Sequence, residues 1–294
     1  MMLGGPFWSA FLINMGFVGI LIEAGSGSAP RFWLIAPVMW FSGYYLFVYS
    51  EYGKLEDMRK EFATANAAVS VQFDPVQTPL VIKGEFSPLE LLSSYSIQSL
   101  VKLPSSNSRK SAKEFVLAPL DYCKRIEKLG SGTPLAIDVH TVWETKSAQS
   151  RTASQTVCAL SYAIEKPLEG VVAGFARTYT ELSQLPVRLE TITITHPNGD
   201  ESLIRYGSAR VLNTLPTPVL GCGLNSGGPS WECFHEFYRA HHRLTKELPE
   251  NLNAKSHYLA TALGLKRKKS DQLKPFPKEV IQARIEAAAV QVPN

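Results

Sequence analysis

The sequence predicts an α+β fold: two N-terminal transmembrane helices, then a soluble mixed domain with a central antiparallel hairpin and C-terminal helices. Three observations carry that expectation. Two long, nearly chargeless runs open the chain, β-branched segments flank Asn198-Gly199, and helix-periodic segments close it. The expected organisation is a two-span hairpin over 1–50 and a juxtamembrane helix over 51–67, then an α+β domain over 68–230 that ends in its own basic helical segment, 231–294.

The first run, Leu3 to Ile22, and the second, Phe32 to Ser50, contain no charged residue. A span needs about 20 mostly apolar residues to cross about 30 Å of hydrocarbon. Both runs are apolar on every side, whereas an amphipathic helix on a soluble core keeps a polar face. Phe7, Trp8, Phe32, Trp33, Tyr49 and Tyr52 stand near the run ends, where interfacial aromatics belong. Between the runs, EAGSGSAPR (23–31) reads as a hairpin tip. A cleaved signal peptide is a competing reading, but no Lys or Arg precedes the first run. A pair of buried core helices is another, and two adjacent runs of spanning length speak against it. Lys54, Arg59 and Lys60 follow the second run, against Arg31 alone in the tip. That bias predicts an inner-membrane protein with both termini cytoplasmic.

The 294 residues are 45% apolar and 19% charged, and the charge deficit lies in the first fifty. A net charge of +4 is too small by itself to demand a polyanionic partner. The four cysteines form no CxxC pair, and a core of this size needs no disulfide staples, so reduced thiols are expected. A Cys222–Cys233 bridge would require an oxidising space.

Along the remaining chain, 51–71 continues the second span as a helix, with Glu56 and Lys60 at i and i+4. TPLVIKGEF reads as a strand. Ser87, Pro88 and Glu90 look like the N-cap, N1 and N3 of a helix. PSSNSRKSAK (104–113) is a polar linker. A helix is expected through EFVLAPLDYCKRIEKL, stopped by GSGT. PLAIDVHTVWET alternates as a half-buried strand. TVCALSYAIEK and PLEGVVAGFARTYTELSQL read as helices. VRLETITITHPNGDESLIRYG reads as a hairpin closed by a type I′ turn at Asn-Gly, with ARVLNTL adding a third strand. WECFHEFYRAHHRLTKEL, AKSHYLATALGLKRKK and PKEVIQARIEAAAV read as helices.

Three constellations could carry chemistry. Asp138, His140 and Glu144 share one face of their strand, which could transfer protons or bind a metal; the bland reading is a solvated face. Cys222, Cys233 and His241 offer zinc-type ligands, but their spacing fits no standard finger. The glycine-rich LGCGLNSGGPS lacks GxGxxG spacing and the P-loop lysine, so it reads as a connection, with Ser230 capping the next helix. No cofactor is expected.

The basic residues are more telling. Residues 231–294 hold eleven Lys and Arg against seven Asp and Glu. Arg239, Arg243 and the run Lys266, Arg267, Lys268 and Lys269 are candidate binding residues for anionic lipid headgroups or an acidic protein partner. Nucleic acid is the least supported partner, because no recognition module accompanies the cations. The expected function is a non-catalytic subunit that presents a cytoplasmic domain to other proteins of a membrane complex, of secretion or conjugation type. A membrane-tethered enzyme acting on lipid or nucleotide, and a tethered nucleic-acid binder, are the alternatives.

Overall fold

A computed structural model describes residues 5–95, 97–104, 111–129, 136–147, 150–165, 170–224, 231–245, 253–268 and 272–291. Most of the 104–113 linker, the GSGT stop, Ser230 and Lys269 lie outside those residues. The described chain is mixed α+β, with six α-helices and a large mixed sheet. The helices are α1 (Gly5–Gly25), α2 (Ile35–Ala67), α3 (Pro88–Tyr95), α4 (Leu120–Leu129), α5 (Ala254–Ala262) and α6 (Lys278–Gln291). The strands are β1 (Leu80–Lys83), β2 (Ser99–Lys102), β3 (Ala112–Pro119), β4 (Ile137–Ser147), β5 (Ser150–Ile164), β6 (Val171–Leu182), β7 (Leu185–Thr195), β8 (Glu201–Leu212), β9 (Pro218–Leu224), β10 (Trp231–Phe237) and β11 (Arg239–Arg243). Hydrogen bonding orders the large sheet β11-β8-β7-β6-β1-β2-β3-β5-β4, and β9 pairs with β10 separately. β1 runs parallel to both β2 and β6.

The chain divides into two compact units. The first comprises Met1–Phe62, Tyr179–Leu189 and Tyr206–Thr245. Its core sets Leu55, Met58 and Phe62 of α2 against Leu185 and Val187 of β7 and Ala209 and Val211 of β8. A second cluster joins Tyr44 and Val48 to Leu212. Polar bonds tie both N-terminal helices to the segment after β8: Tyr44 of α2 donates to Asn213 O at 2.6 Å, and Asn14 of α1 donates to Pro216 O at 2.6 Å. α2 is one helix of 33 residues, so the expected juxtamembrane helix is its continuation. Glu56 pairs with Arg59 at i+3 rather than with Lys60.

The two-span expectation is met only in part. One helix, Arg31–Ala67 with its leading 3-10 turn, is long and apolar enough to cross a membrane. The apolar stretch described on α1, Ala10–Gly25, is shorter and falls below the roughly 20 residues a span needs.

The second unit comprises Ala63–Thr178, Glu190–Arg205 and Lys246–Asn294. One face of β3 and β5 buries Val116, Leu160 and Tyr162 against Tyr122 and Ile126 of α4 and Ile281 and Ile285 of α6. Within this core Cys123 and Cys158 are joined by a disulfide, with Cα atoms 6.5 Å apart. The expectation of reduced thiols therefore fails for this pair: α4 and β5, though 35 residues apart in sequence, bring the two sulfurs together. Glu114 of β3 is buried as well and accepts from Tyr162 at 2.9 Å and from Arg284 at 2.6 Å.

Several segments differ from the sequence expectation. The segments from 156 and from 167, expected as helices, are strands β5 and β6. β5 is buried from Val157 to Tyr162, so it shows no polar alternation and its alanines mimic a helix. EFVLAPLDYCKRIEKL splits at Pro119, strand before and helix α4 after, because proline closes the ladder and opens the helix. Residues 231–243, expected as helix, form β10 and β11; their partner strands β9 and β8 override helical periodicity. No helix follows position 230, so the capping reading of Ser230 falls. The 198–199 hairpin forms, but its turn is not type I′. Gly199 N bonds to His196 O at 2.9 Å, and Gly199 alone of the pair has positive φ, +91°, as in a three-residue loop ending in a left-handed glycine. The two-residue loop with positive φ at both positions is Ser183-Gln184, at 51° and 65°, between β6 and β7.

Candidate functional site

The strand carrying Asp138 and His140 forms as expected, at one edge of the sheet. The register sets Asp138 opposite Ser161 of β5, and Ser161 opposite Phe115 of β3. Lys113 Nζ donates to Asp138 Oδ2 at 2.7 Å, and Ser161 Oγ donates to the same oxygen at 3.4 Å. His140 Nε2 and Ser161 Oγ share a hydrogen bond at 2.9 Å. The imidazole stacks on Phe115, ring centroids 5.7 Å apart. The Lys113 hydrogen bond holds the Asp138 carboxyl below its ordinary pKa. Burial pushes the His140 imidazole down, Lys113 adds to that, and Asp138 opposes it.

A serine-histidine-acid relay needs its carboxylate on the far imidazole nitrogen and a hydroxyl open to substrate. Here the hydroxyl stands between acid and imidazole, and Ser161 is 0% exposed. The arrangement braces an edge strand rather than exposing a nucleophile. Glu144 lies on β4 beyond an irregularity between Thr141 and Trp143, and its side chain is outside the described set.

The zinc-type candidates distribute differently from the expectation. The register places Cys222 of β9 directly opposite Cys233 of β10, while His241 sits on β11 opposite Arg210 of β8. Among the described residues no group of three His, Cys, Asp or Glu could hold a metal ion.

The basic set divides between the units. Arg239 and Arg243 lie on β11 in the first unit; Lys266, Arg267 and Lys268 lie in the second. Arg239 Nη1 pairs with Glu51 Oε1 at 2.6 Å, and the Arg243 carbonyl accepts from Arg59 Nε at 2.9 Å. Lys266, Arg267 and Lys268 are exposed. They follow α5, past its cap Leu263 and the left-handed Gly264, φ +67°. Leu265 N bonds to Ala260 O and Gly264 N to Thr261 O, the double bond of a Schellman ending. The cations thus lie past the helix end, not within its last turn.

Sequence reading missed an open groove of about 720 Å³ in the first unit. Its apolar wall is one side of α2: Met39, Trp40, Gly43, Tyr44 and Phe47. The rest of the lining is mostly polar: Glu181, Gln184, Arg210, Glu236 and the Glu51–Arg239 pair, Glu51 itself being one turn further along α2. Phe237 also lines it, its ring 4.9 Å from Tyr44 and 5.6 Å from Trp40. The sequence signal was present in part: Gly43 interrupts bulky residues on α2. Glu181, Arg210, Glu236 and Arg239 come from β6, β8, β10 and β11, three of which the helical reading of 167–185 and 231–248 concealed.

Comparison with protein-family models, with curated proteins and with solved structures finds no match.

Proposed function

We propose that the chain is a membrane-anchored, non-catalytic subunit that presents its α+β domain to other proteins of an inner-membrane assembly of secretion or conjugation type. The observation that carries this reading is α2. Its apolar window is only 17% buried, and Leu46, Phe47 and Tyr49 are 70%, 69% and 81% exposed. Apolar surface on that scale needs lipid or protein to cover it. Beyond Ser50 the same helix turns charged and packs on β7 and β8, so anchor and first unit share one continuous element. In its fuller form the proposal has α1 as a second span and EAGSGSAPR as the far tip.

Two observations bear on the side of the membrane, with opposite sign. Lys54, Arg59 and Lys60 favour a cytoplasmic domain. The Cys123–Cys158 bond favours an oxidising space, where disulfides persist. Three cations against one is a modest bias, and the bond is covalent, so we place the domain on the oxidising face.

Carbonate washing of vesicles tests the anchor: the full-length chain stays with the membrane. Affinity purification in mild detergent tests the role: other membrane proteins accompany it in stoichiometric amounts. Release by carbonate overturns the anchor; a lone monodisperse protein with intrinsic turnover overturns the subunit role.

A further inference from the structure

We infer that the groove beside α2 holds one phospholipid with a primary-amine headgroup. The inference rests on the membrane reading above and goes further by naming an occupant and its chemistry. The apolar wall, Met39 to Phe47, lies inside the chargeless run of 32–50. A bilayer that holds α2 therefore delivers acyl chains to that wall. A volume of about 720 Å³ falls in the range of small-molecule sites, about 300–1,000 Å³, and suits a headgroup with the upper part of a chain.

The polar lining selects the head. Glu51 and Arg239 neutralise one another at 2.6 Å, and the second oxygen of Glu51 takes the Leu212 N–H at 2.8 Å. Arg210, Glu181 and Glu236 are exposed and carry no ion pair among the described residues. One cation and two carboxylates then remain for a ligand. A phosphodiester pairs with the guanidinium of Arg210. An ammonium with three N–H donors suits the carboxylates. A purely anionic head would meet both carboxylates unpaired, and a trimethylated amine has no N–H to donate. Gly43 keeps the apolar wall open: a Cβ there would meet nothing within 4 Å.

The test uses full-length protein in nanodiscs of equal parts phosphatidylethanolamine, phosphatidylglycerol and phosphatidylcholine, followed by native mass spectrometry of retained lipid. The wild type keeps one phosphatidylethanolamine per chain. Gly43→Leu, which puts a bulky side chain on the groove wall where a Cβ meets nothing within 4 Å, and Arg210→Glu, which reverses an unpaired exposed charge, each lower retention about tenfold. Melting curves of both variants accompany the measurement, and Arg210→Glu decides the matter should Gly43→Leu fail to fold. Unchanged retention in the folded variants overturns the site. Preferential retention of phosphatidylglycerol or phosphatidylcholine overturns the headgroup assignment, and a peptide in place of lipid overturns the occupant. A carbonate wash of the same membranes separates the two readings: a wild type that stays bound but keeps no lipid refutes the groove alone.

Discussion

Glu51 of α2 accepts two hydrogen bonds from two different strands, from Arg239 Nη1 of β11 at 2.6 Å and from Leu212 N of β8 at 2.8 Å. It does so one residue after the apolar run ends, where the helix leaves the region read as membrane. Removing the carboxylate strips the Arg239 pair and leaves a backbone N–H without its acceptor. Glu51→Ala is expected to cost about 1–3 kcal/mol, the price of orphaning such groups. Glu51→Gln keeps an acceptor for Leu212 and costs less. Thermal unfolding in detergent, followed by tryptophan fluorescence, should rank wild type above Gln above Ala. Coincident curves for all three would show that the pair does not hold the strand to the helix.

Gly207 interrupts β8 at φ +148°, and a Cβ there would stand 2.0 Å from Arg188 O. Gly199, at φ +91° in the neighbouring hairpin tip, has open space around it. Alanine at either site pays for positive φ, but only at 207 must backbone move. Gly207→Ala should therefore lose more than the roughly 1–2 kcal/mol that a left-handed φ alone costs, and Gly199→Ala no more than that. Equal melting temperatures would remove the steric account.

How much of this was legible depends on whether the determining contacts were local. Helix starts and stops carry their own chemistry, so α3 begins at Pro88 and α6 runs through Lys278–Gln291 as the sequence indicates. The capping box did not follow: the Glu90 carboxylate accepts from Ser256 of α5 at 3.1 Å, a tertiary partner no local pattern reveals. Strand β4 was legible because one of its faces is polar. β5 was not, because a strand buried on both faces loses its alternation. The turn at Ser183-Gln184 contains neither glycine nor asparagine, so nothing marked it. The Asp138–His140 face was legible as a unit, but Ser161 and Lys113, which decide its chemistry, arrive from strands 21 or more residues away. The groove needed four such strands at once.

His140 gives a pH dependence with a defined sign. Burial lowers its pKa from the ordinary 6.5. Below about pH 6.5 the unfolded chain therefore takes up a proton that the folded one resists, and stability falls as pH falls toward the lowered value. Above 6.5 both states are neutral and the contribution is flat. His242 and His257 are lowered as well, each chiefly by burial, so the three act in the same direction. The wild type should melt lower at pH 5.5 than at pH 7.5, and His140→Gln, whose amide can still hydrogen-bond Ser161, should shrink that difference. A His140→Gln variant with the full wild-type difference would show that the imidazole already titrates freely in the folded state.

The last prediction concerns the side of the membrane. Cys123 and Cys158 are 1% and 2% exposed and 35 residues apart. On the loop-entropy relation, closing a loop of that length stabilises by about 3–4 kcal/mol. Cys123→Ser and Cys158→Ser should each lower the melting temperature by several degrees and should not add to one another, because either change removes the same bond. Lys60, whose side chain is 77% exposed on α2, offers a topology reporter. In the domain's proposed position, a cysteine in place of Lys60 reacts with a membrane-impermeant maleimide once the outer envelope is permeabilised, while the inner membrane is still sealed. In the same samples the Cys123–Cys158 pair resists alkylation under denaturation until a reductant is added. Labelling at position 60 only after lysis, together with freely alkylated Cys123 and Cys158, would return the domain to the cytoplasm and give the cation bias of Lys54, Arg59 and Lys60 the deciding weight.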